Sequence, residues 1–287
     1  MKTSIVEKHK TRELLGISTG LKTSDGDGVN MTRLIGTAEL ENIDPFLLLD
    51  AFGSDEPQDY IGGFPDHPHR GFETVTYLLA GKMRHKDNAG NEGVIEAGGV
   101  QWMTAGKGIV HSEMPKQENG LLEGFQLWVN LPAVNKMVEP AYQEFSKSEI
   151  PLELWENGTV IRVIAGRTQN GTLGPVENTY VSPLFMDVYL QAGKDFEQAI
   201  NYDDNTFIYV IEGEIEIGNQ PRVLSEKELG ILDAGDHIEI KAKSDQARFL
   251  LVSAEPLNEP IARGGPFVMN TQDQVRQAFE DFRSNRF

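Results

Sequence analysis

A weak internal repeat constrains the fold of this chain more than any other feature of its sequence. When the chain is laid on itself with an offset of 132 residues, the string ETVTYLLAGKM lies over NTFIYVIEGEI. Three pairs of residues are then identical: Thr74 with Thr206, Tyr77 with Tyr209, and Gly81 with Gly213. Both copies have the order of an apolar strand, a glycine turn and a second strand. We therefore predict two copies of one β-barrel in 287 residues, a length that suits two domains with separate cores.

Short apolar segments between glycine-bearing turns support an all-β fold. They are rich in β-branched and aromatic residues, as strands are, and examples are Thr74–Leu79, Val100–Met103, Phe125–Leu131 and Val160–Ile164. The polar segment 132–151 has prolines at both ends, which is typical of a connection between domains. We place the domain boundary within it, between an N-terminal domain of residues 1–135 and a C-terminal domain of residues 136–287.

The end of the chain predicts a helix over residues 271–286. Thr271 and Gln274 stand at the spacing of a capping box, in which the side chain of each satisfies a backbone amide of the other. The residues that follow form an apolar stripe at helical spacing: Val275, Ala278, Phe279 and Phe282. We assign this helix to the C-terminal domain, as a lid packed on its barrel.

The composition excludes several kinds of site and partner. The chain has no cysteine, so disulfides are excluded and any metal must be bound by histidines and carboxylates. A formal net charge of −18 opposes binding to phosphate backbones and anionic lipid, and we expect no direct contact with nucleic acid or membrane. Since no stretch resembles a signal peptide or a membrane span, we expect a cytoplasmic protein, with nuclear placement open in a eukaryotic host. No heptad or long apolar edge calls for an oligomer, so we expect a monomer.

Two pairs of polar residues carry the chemistry that the sequence suggests. In the string FPDHPHRGFETVTY, His67 and His69 are two residues apart, and on an extended chain both imidazoles point to one face. In the string GGVQWMTAGKGIVHSEMP, His111 and Glu113 have the same spacing. We predict that these four side chains bind one divalent transition metal. Three imidazoles and a carboxylate suit Fe(II), Mn(II), Ni(II), Cu(II), Co(II) or Zn(II), whereas Ca(II) and Mg(II) prefer oxygen ligands.

The second copy of the repeat lacks these ligands. With the offset of 132 residues, growing to 137 further along the chain, the places of the three histidines are taken by Ala199, Asn201 and Arg248. We therefore predict one metal site, in the N-terminal barrel.

Other polar and aromatic residues are given weaker roles. His85 lies in the polar string RHKDNAG, and we interpret it as a solvated loop residue. A histidine in a β-rich core is also more often a hydrogen-bonded structural residue than a ligand, so spacing alone leaves both interpretations of the histidine pairs open. Four large residues either line a pocket or belong to a plain core: Trp102, Met103, Phe125 and Trp128.

The strings that hold the histidines resemble known families. Their arrangement is similar to the two cupin motifs, although the spacing from Glu73 to Gly81 is one residue longer and Gly106 stands where the second motif usually has proline. The fuller strings resemble the pirin family closely and span most of the chain: DPFLLLDAFG, GGFPDHPHRGFETVTYLL, GGVQWMTAGKGIVHSEMP, FQLWVNLP, KMVEPAYQ and GPFVMNT.

The resemblance implies a fold and a ligand set. The fold is all-β, with two tandem cupin barrels of the jelly-roll type and a short C-terminal helix. The implied cofactor is Fe(II) in the N-terminal barrel, held by residues that match His67, His69, His111 and Glu113. Glu73, a ligand in the general cupin pattern, would then orient one of the imidazoles instead of binding the metal.

Two functions are consistent with that site. The first is a dioxygenase that opens flavonols such as quercetin with dioxygen, an activity that the resemblance suggests, with Glu113 as the catalytic base for the substrate's enol proton. The second is a non-catalytic, iron- and redox-responsive binding protein that contacts a transcription factor or a metabolic enzyme. The same four ligands serve both functions, so the sequence does not decide between them.

Overall fold

The computed structural model describes residues 9–287, which form 24 strands and one α-helix. In the first half of the chain the strands are β1 (Leu14–Ser18), β2 (Leu21–Asp25), β3 (Val29–Ile35), β4 (Phe46–Ser54), β5 (Phe64–His69), β6 (Phe72–Ala80), β7 (Lys82–Asp87), β8 (Glu92–Glu96), β9 (Val100–Thr104), β10 (Ile109–Pro115), β11 (Leu122–Asn130) and β12 (Ala141–Phe145). In the second half they are β13 (Leu152–Leu154), β14 (Val160–Ala165), β15 (Leu184–Gln191), β16 (Asp195–Ala199), β17 (Asn205–Glu212), β18 (Glu214–Ile217), β19 (Arg222–Ser225), β20 (Leu229–Leu232), β21 (His237–Ala242), β22 (Gln246–Ala254), β23 (Ala262–Gly264) and β24 (Phe267–Met269), followed by α1 (Gln272–Arg283).

The described chain divides into two compact units, each built around one barrel. The first barrel comprises residues 20–150, 175–181 and 257–287. The second barrel comprises residues 9–19, 151–174 and 182–256. This division differs from the predicted cut at residue 135 because each unit takes a segment from the far end of the chain. Strand β1 pairs with β20 of the second barrel, with Leu14 opposite Leu232, and pairing over such a sequence separation leaves no local signal.

The two barrels have the same strand order, which confirms the predicted duplication. In the first barrel a sheet of seven strands runs β12-β9-β6-β11-β4-β3-β2, and a sheet of four runs β5-β10-β7-β8. In the second barrel the corresponding orders are β1-β20-β17-β22-β15-β14-β13 and β16-β21-β18-β19. Every strand in these two sheets of the first barrel therefore has a counterpart in the second barrel. Neighbouring strands are antiparallel in both barrels.

The repeat detected in the sequence lies at the same place in both barrels. Gly81 joins β6 to β7 and Gly213 joins β17 to β18, with backbone φ angles of 82° and 78°. A side chain at either position would be strained by the positive φ and would also overlap neighbouring backbone. The two glycines are therefore retained by the geometry of the turn between the sheets.

The C-terminal helix α1 is present, and its predicted cap is confirmed. The Thr271 side chain accepts the Gln274 amide and the Gln274 side chain accepts the Thr271 amide. Val275 packs against β23 and β24 together with the half-buried Phe279, in a cluster that belongs to the first barrel. The predicted assignment of this helix to the C-terminal domain is therefore corrected. Within residues 9–287, no helix is long and apolar enough to cross a membrane.

Candidate metal centre

Strands β5 and β10 bring the two predicted ligand pairs together. The strands are antiparallel neighbours, and His111 is directly opposite His67 in the register. Pro68 lies between the two histidines of β5, and β5 is the edge strand of its sheet, where a residue without an N–H is tolerated. Successive side chains of a strand point to opposite faces of the sheet, so residues two apart share one face. The spacing of the histidines predicted this shared inward direction.

Three imidazoles form a compact cluster on these strands. One ring nitrogen from each of His67, His69 and His111 lies within 4.8 Å of the others. The ring centroids of His67 are 4.6 Å from His69 and 4.5 Å from His111, and the remaining pair is 5.1 Å apart. His69 and His111 are buried, while His67 is half-buried and faces the cavity described below.

Burial favours the neutral form of two of the three imidazoles, those of His69 and His111. Burial lowers the pKa of His69 and of His111 well below the usual value, and each is lowered further by the neighbouring imidazoles. The Nδ1 of His67 lies 2.8 Å from the Pro65 carbonyl, which accepts its proton and leaves Nε2 with a free lone pair. Neutral imidazoles with free lone pairs are the state in which histidine binds a metal.

Glu113 lies on the wall of the same cavity but outside the three-histidine cluster. Its Oε1 accepts the Thr76 hydroxyl at 2.9 Å, and its Oε2 is 3.5 Å from Nε2 of Gln126. Burial raises the pKa of Glu113, an effect that the His67 imidazole and the Thr76 hydroxyl partly oppose. The carboxylate is therefore positioned by a hydroxyl beside the histidines.

Glu73 does not orient an imidazole as the sequence predicted. Its carboxylate accepts the Thr104 hydroxyl at 2.7 Å and the Asn178 amide at 2.6 Å. Burial raises its pKa, and these two donors oppose that effect. Residues 175–181 belong to the same unit as the first barrel, so Glu73 ties this segment to strand β6.

The side chains present fit a transition metal. Both ring nitrogens of His111 and the Nδ1 of His69 are buried without a hydrogen-bond partner among the described residues. Leaving such groups unpaired is unfavourable, whereas coordination to a cation would satisfy one nitrogen of each ring. Three nitrogen donors with a carboxylate nearby suit the borderline divalent metals considered from the sequence and do not suit Ca(II) or Mg(II).

A cavity of about 550 Å³ opens beside the histidines. Its apolar wall is formed by Met31, Leu48, Phe52, Phe64 and Trp128, and its polar wall includes Arg33, Asp50, Gln126 and Arg263. Of the four large residues left open in the sequence, Trp128 lines the cavity and contacts His69, with ring centroids 5.2 Å apart. Trp102, Met103 and Phe125 are buried core residues outside the cavity lining.

His85, beside Glu113, is a buried residue that the sequence analysis wrongly assigned to a loop. It lies on β7, not in a solvated loop, and is only 4% exposed. Its Nε2 is 2.6 Å from the carboxylate of Glu144, and its Cα is paired with that of Glu113 across the sheet. The alternation of the string KMRHKD was the available signal, because Met83, His85 and Asp87 share one parity and are buried.

The second barrel lacks metal ligands at the positions where the first has them, and two of these positions are apolar. Met83 pairs with Pro115, and its counterpart Ile215 pairs with Ala242. Counting back along the strands from these pairs, the counterpart of Glu113 is Ile240 and the counterpart of His111 is Ile238, and both isoleucines are buried. The residue opposite Ile238 is Gln198, which is therefore the counterpart of His67.

The structure corrects all three of the residues that the offset had proposed. Arg248 lies on β22, the counterpart of β11, and its guanidinium pairs with Asp187. The counterpart of His67 is Gln198 and not Ala199, and two residues further on the counterpart of His69 is Ile200 and not Asn201. The three histidines that converge, His67, His69 and His111, all lie in the first barrel.

Two barrels of identical strand order, one of them with histidines on its inner wall, define the protein as a bicupin. The pirin family matches residues 28–129, and the pirin C-terminal cupin domain matches residues 185–287. The chain belongs to the pirin family.

Similar proteins support this assignment along nearly the whole chain. A pirin-like protein of Caulobacter vibrioides is 52% identical over 96% of this chain and 99% of its own length. Human pirin is 43% identical over 91% of this chain and 89% of its own. The crystal structure of quercetin 2,3-dioxygenase from Acinetobacter baumannii has a TM-score of 0.88 and 34% identity, and the match covers 97% of this chain and 99% of that one.

Proposed function

We propose that this protein is a dioxygenase that opens flavonols such as quercetin and uses Fe(II). The observation that carries the proposal is the convergence of three imidazoles beside a cavity with an aromatic wall. Similarity to the quercetin 2,3-dioxygenase of Acinetobacter baumannii supports the substrate class. In this proposal His67, His69, His111 and Glu113 hold the metal.

The chain's own contribution to the chemistry begins with Glu113. When bound, the metal supplies Lewis-acid polarisation of the substrate's enol oxygen and redox chemistry toward dioxygen. Glu113 accepts the enol proton when it is not itself bound to the metal. Its Oε2 is the freer oxygen for either role, because Oε1 is held by the Thr76 hydroxyl and the Oε2 contact with Gln126 is long, at 3.5 Å.

The apolar wall of the cavity supplies binding and protection. Leu48, Phe52 and Trp128 present a surface on which a flat aromatic substrate can pack, and they exclude water from the reacting atoms. In the overall reaction one flavonol takes up one dioxygen and yields one ring-opened ester and one carbon monoxide.

Anaerobic loading with Fe(II), followed by quercetin and air, tests the proposal. We expect oxygen uptake to accompany loss of the flavonol absorption band. The variant His69→Ala should lose both signals because it removes a ligand from the cluster. His237→Ala is the matched control, since His237 lies on β21 of the second barrel.

Protein that binds iron but consumes no oxygen with quercetin would overturn the dioxygenase proposal. That outcome would favour the non-catalytic alternative, in which the oxidation state of the metal controls binding of a protein partner. Partner affinity that is equal for the reduced, oxidised and metal-free forms would in turn exclude the alternative.

A further inference from the structure

Arg263 occupies a distinctive position in the cavity beside the histidines. It lies on strand β23, and its side chain lines the cavity wall. Its guanidinium lies over the Trp128 ring at 4.8 Å from the centroid, and Trp128 also contacts His69. A positive group and an aromatic surface are therefore placed together next to the candidate metal ligands.

Arg33, the other arginine of the cavity, is fully engaged. It donates to both carboxylate oxygens of Asp50, at 2.9 and 2.7 Å, and to Asp25 at 3.0 Å. The pair with Asp50 is bidentate, the geometry in which arginine binds a carboxylate most strongly. These two carboxylates are therefore already matched to a guanidinium.

Arg263 has no such partner. Across residues 9–287 its guanidinium makes no hydrogen bond and no ion pair, although it carries five N–H donors. Partial burial lowers its pKa and the positive charge of Arg33 lowers it further, whereas nearby acids, Asp50 first among them, oppose that effect. The side chain is nonetheless exposed, so its donors can exchange water for an acceptor on a ligand while the Trp128 ring supports one face.

The other acids of the cavity do not serve as that acceptor. Asp25 and Asp50 are held by Arg33, and Glu113 accepts from Thr76. Asp66 lines the cavity at an exposed position of β5 next to His67, and it forms no ion pair with Arg263.

We propose that Arg263 recognises an oxyanion on the substrate, a carboxylate or an ionised phenol, carried on the part of the ring system that lies away from the histidines. The substrate class is then an anionic aromatic enol whose ring packs against Trp128. The aromatic enol part of this inference rests on the proposed function, whereas anion recognition by Arg263 does not depend on turnover.

Binding of a matched pair of flavonols tests the inference. The probes are 4′-carboxy-3-hydroxyflavone and its neutral methyl ester, which differ at one group only. Binding is measured by quenching of tryptophan fluorescence, without metal and then anaerobically with Fe(II). We expect the carboxylate to bind at least tenfold more tightly than the ester in both states, because charge-assisted hydrogen bonds to a guanidinium are strong.

Three variants assign that preference to one side chain. Arg263→Gln should remove it, and Arg263→Lys should keep only part of it, because lysine has the charge without the planar fork. Arg276→Gln is the charge-matched control, since Arg276 lies on the exposed face of α1 and pairs with Asp273. It should keep the full preference.

The two proposals fail in different ways. Equal affinity for acid and ester in the unmodified protein, or a preference that survives in Arg263→Gln, would overturn anion recognition. Absence of oxygen uptake with either probe, together with an intact preference for the acid, would overturn the dioxygenase proposal and support the role of Arg263.

Discussion

The two barrels share one strand order but have opposite interiors. Where the first barrel has His111 and Glu113 on its inner wall, the second has Ile238 and Ile240. Topology is therefore set by strand pairing and by the turns between sheets, and the interior can change from polar to apolar without altering it. A polar interior is favourable only where a ligand satisfies it.

The packing of the interior also differs between the two barrels. The second barrel is filled by one continuous cluster of twenty buried apolar residues, from Leu14 to Leu251. In the first barrel, a group that includes Phe52 borders the cavity, and a group that includes Phe72 contacts His69. The first barrel thus has a cavity and unpaired imidazole nitrogens on its inner wall, and the metal-free first barrel should be the less stable of the two.

An exchange of interior residues is expected to have the largest effect. Ile240→Glu places an unpaired carboxyl in the second core and should lower the free energy of unfolding by about 3–5 kcal/mol. The reciprocal change, Glu113→Ile, removes a buried carboxyl and should leave the metal-free protein equally or more stable, while metal binding is lost. Urea unfolding measures both. A similar loss of stability in the two variants would contradict the idea that the first barrel tolerates an apolar residue at this position while the second does not tolerate a carboxyl.

Removal of one candidate metal ligand is expected to have the second largest effect. His111→Ala should weaken metal binding by about 100-fold or more, because one of three converging imidazoles is lost. Metal-to-protein ratios after dialysis against a graded chelator measure the change. The circular dichroism spectrum of His111→Ala should remain that of the parent protein. The control variant His237→Ala should bind metal normally. A loss of metal binding in this control would contradict the assignment of the site to the first barrel.

A buried lysine gives the first barrel a distinct dependence on pH. Lys136 donates to Asn130 and to the carbonyls of Gly71 and Val268, and burial lowers its pKa to about 8 from 10.5. Between these values the unfolded chain binds more protons than the folded one, so stability should rise with pH from about 8 to 10.5. The gain should be roughly 1–2 kcal/mol, since the three oxygens favour the ammonium form.

The comparison variant for this effect is Lys136→Met. Unfolding free energies of the two proteins, measured at several pH values, should differ in slope over that window. Parallel curves would mean that Lys136 keeps an ordinary pKa despite its burial.

Loss of the helix cap should have the smallest effect. Thr271→Ala removes one half of the capping box and should cost about 1 kcal/mol. Amide hydrogen exchange should become faster in α1, β23 and β24, which belong to the first barrel, and stay unchanged in the second. Faster exchange confined to the second barrel would contradict the assignment of the helix.

Local patterns predicted much of the fold and the site. The spacing of two residues in His67–His69 and His111–Glu113 was enough to place each pair on one strand, because strand parity is a local property. The glycine turns at Gly81 and Gly213 revealed the duplication for the same reason, since a positive φ is required within a single residue.

Contacts between distant segments were beyond this kind of analysis. Glu73 has the inward parity that was expected, but its partner Asn178 is more than 100 residues away in the chain. Arg263 stands in a short strand whose sequence, IARGG, carries no sign of a cavity. His85 was hidden because its polar neighbours on β7 suggested a loop, although only alternate residues of that strand face solvent.

The exchange of chain ends between the units fixes an order of completion during synthesis. The second barrel uses residues up to 256, so all of its strands are synthesised before residues 257–287 leave the ribosome. The first barrel needs residues 257–287, and its cavity includes Arg263 and Pro266 from that segment. The histidines are therefore translated early, but the pocket around them closes last, and a prematurely terminated chain would carry the ligands without a finished binding site.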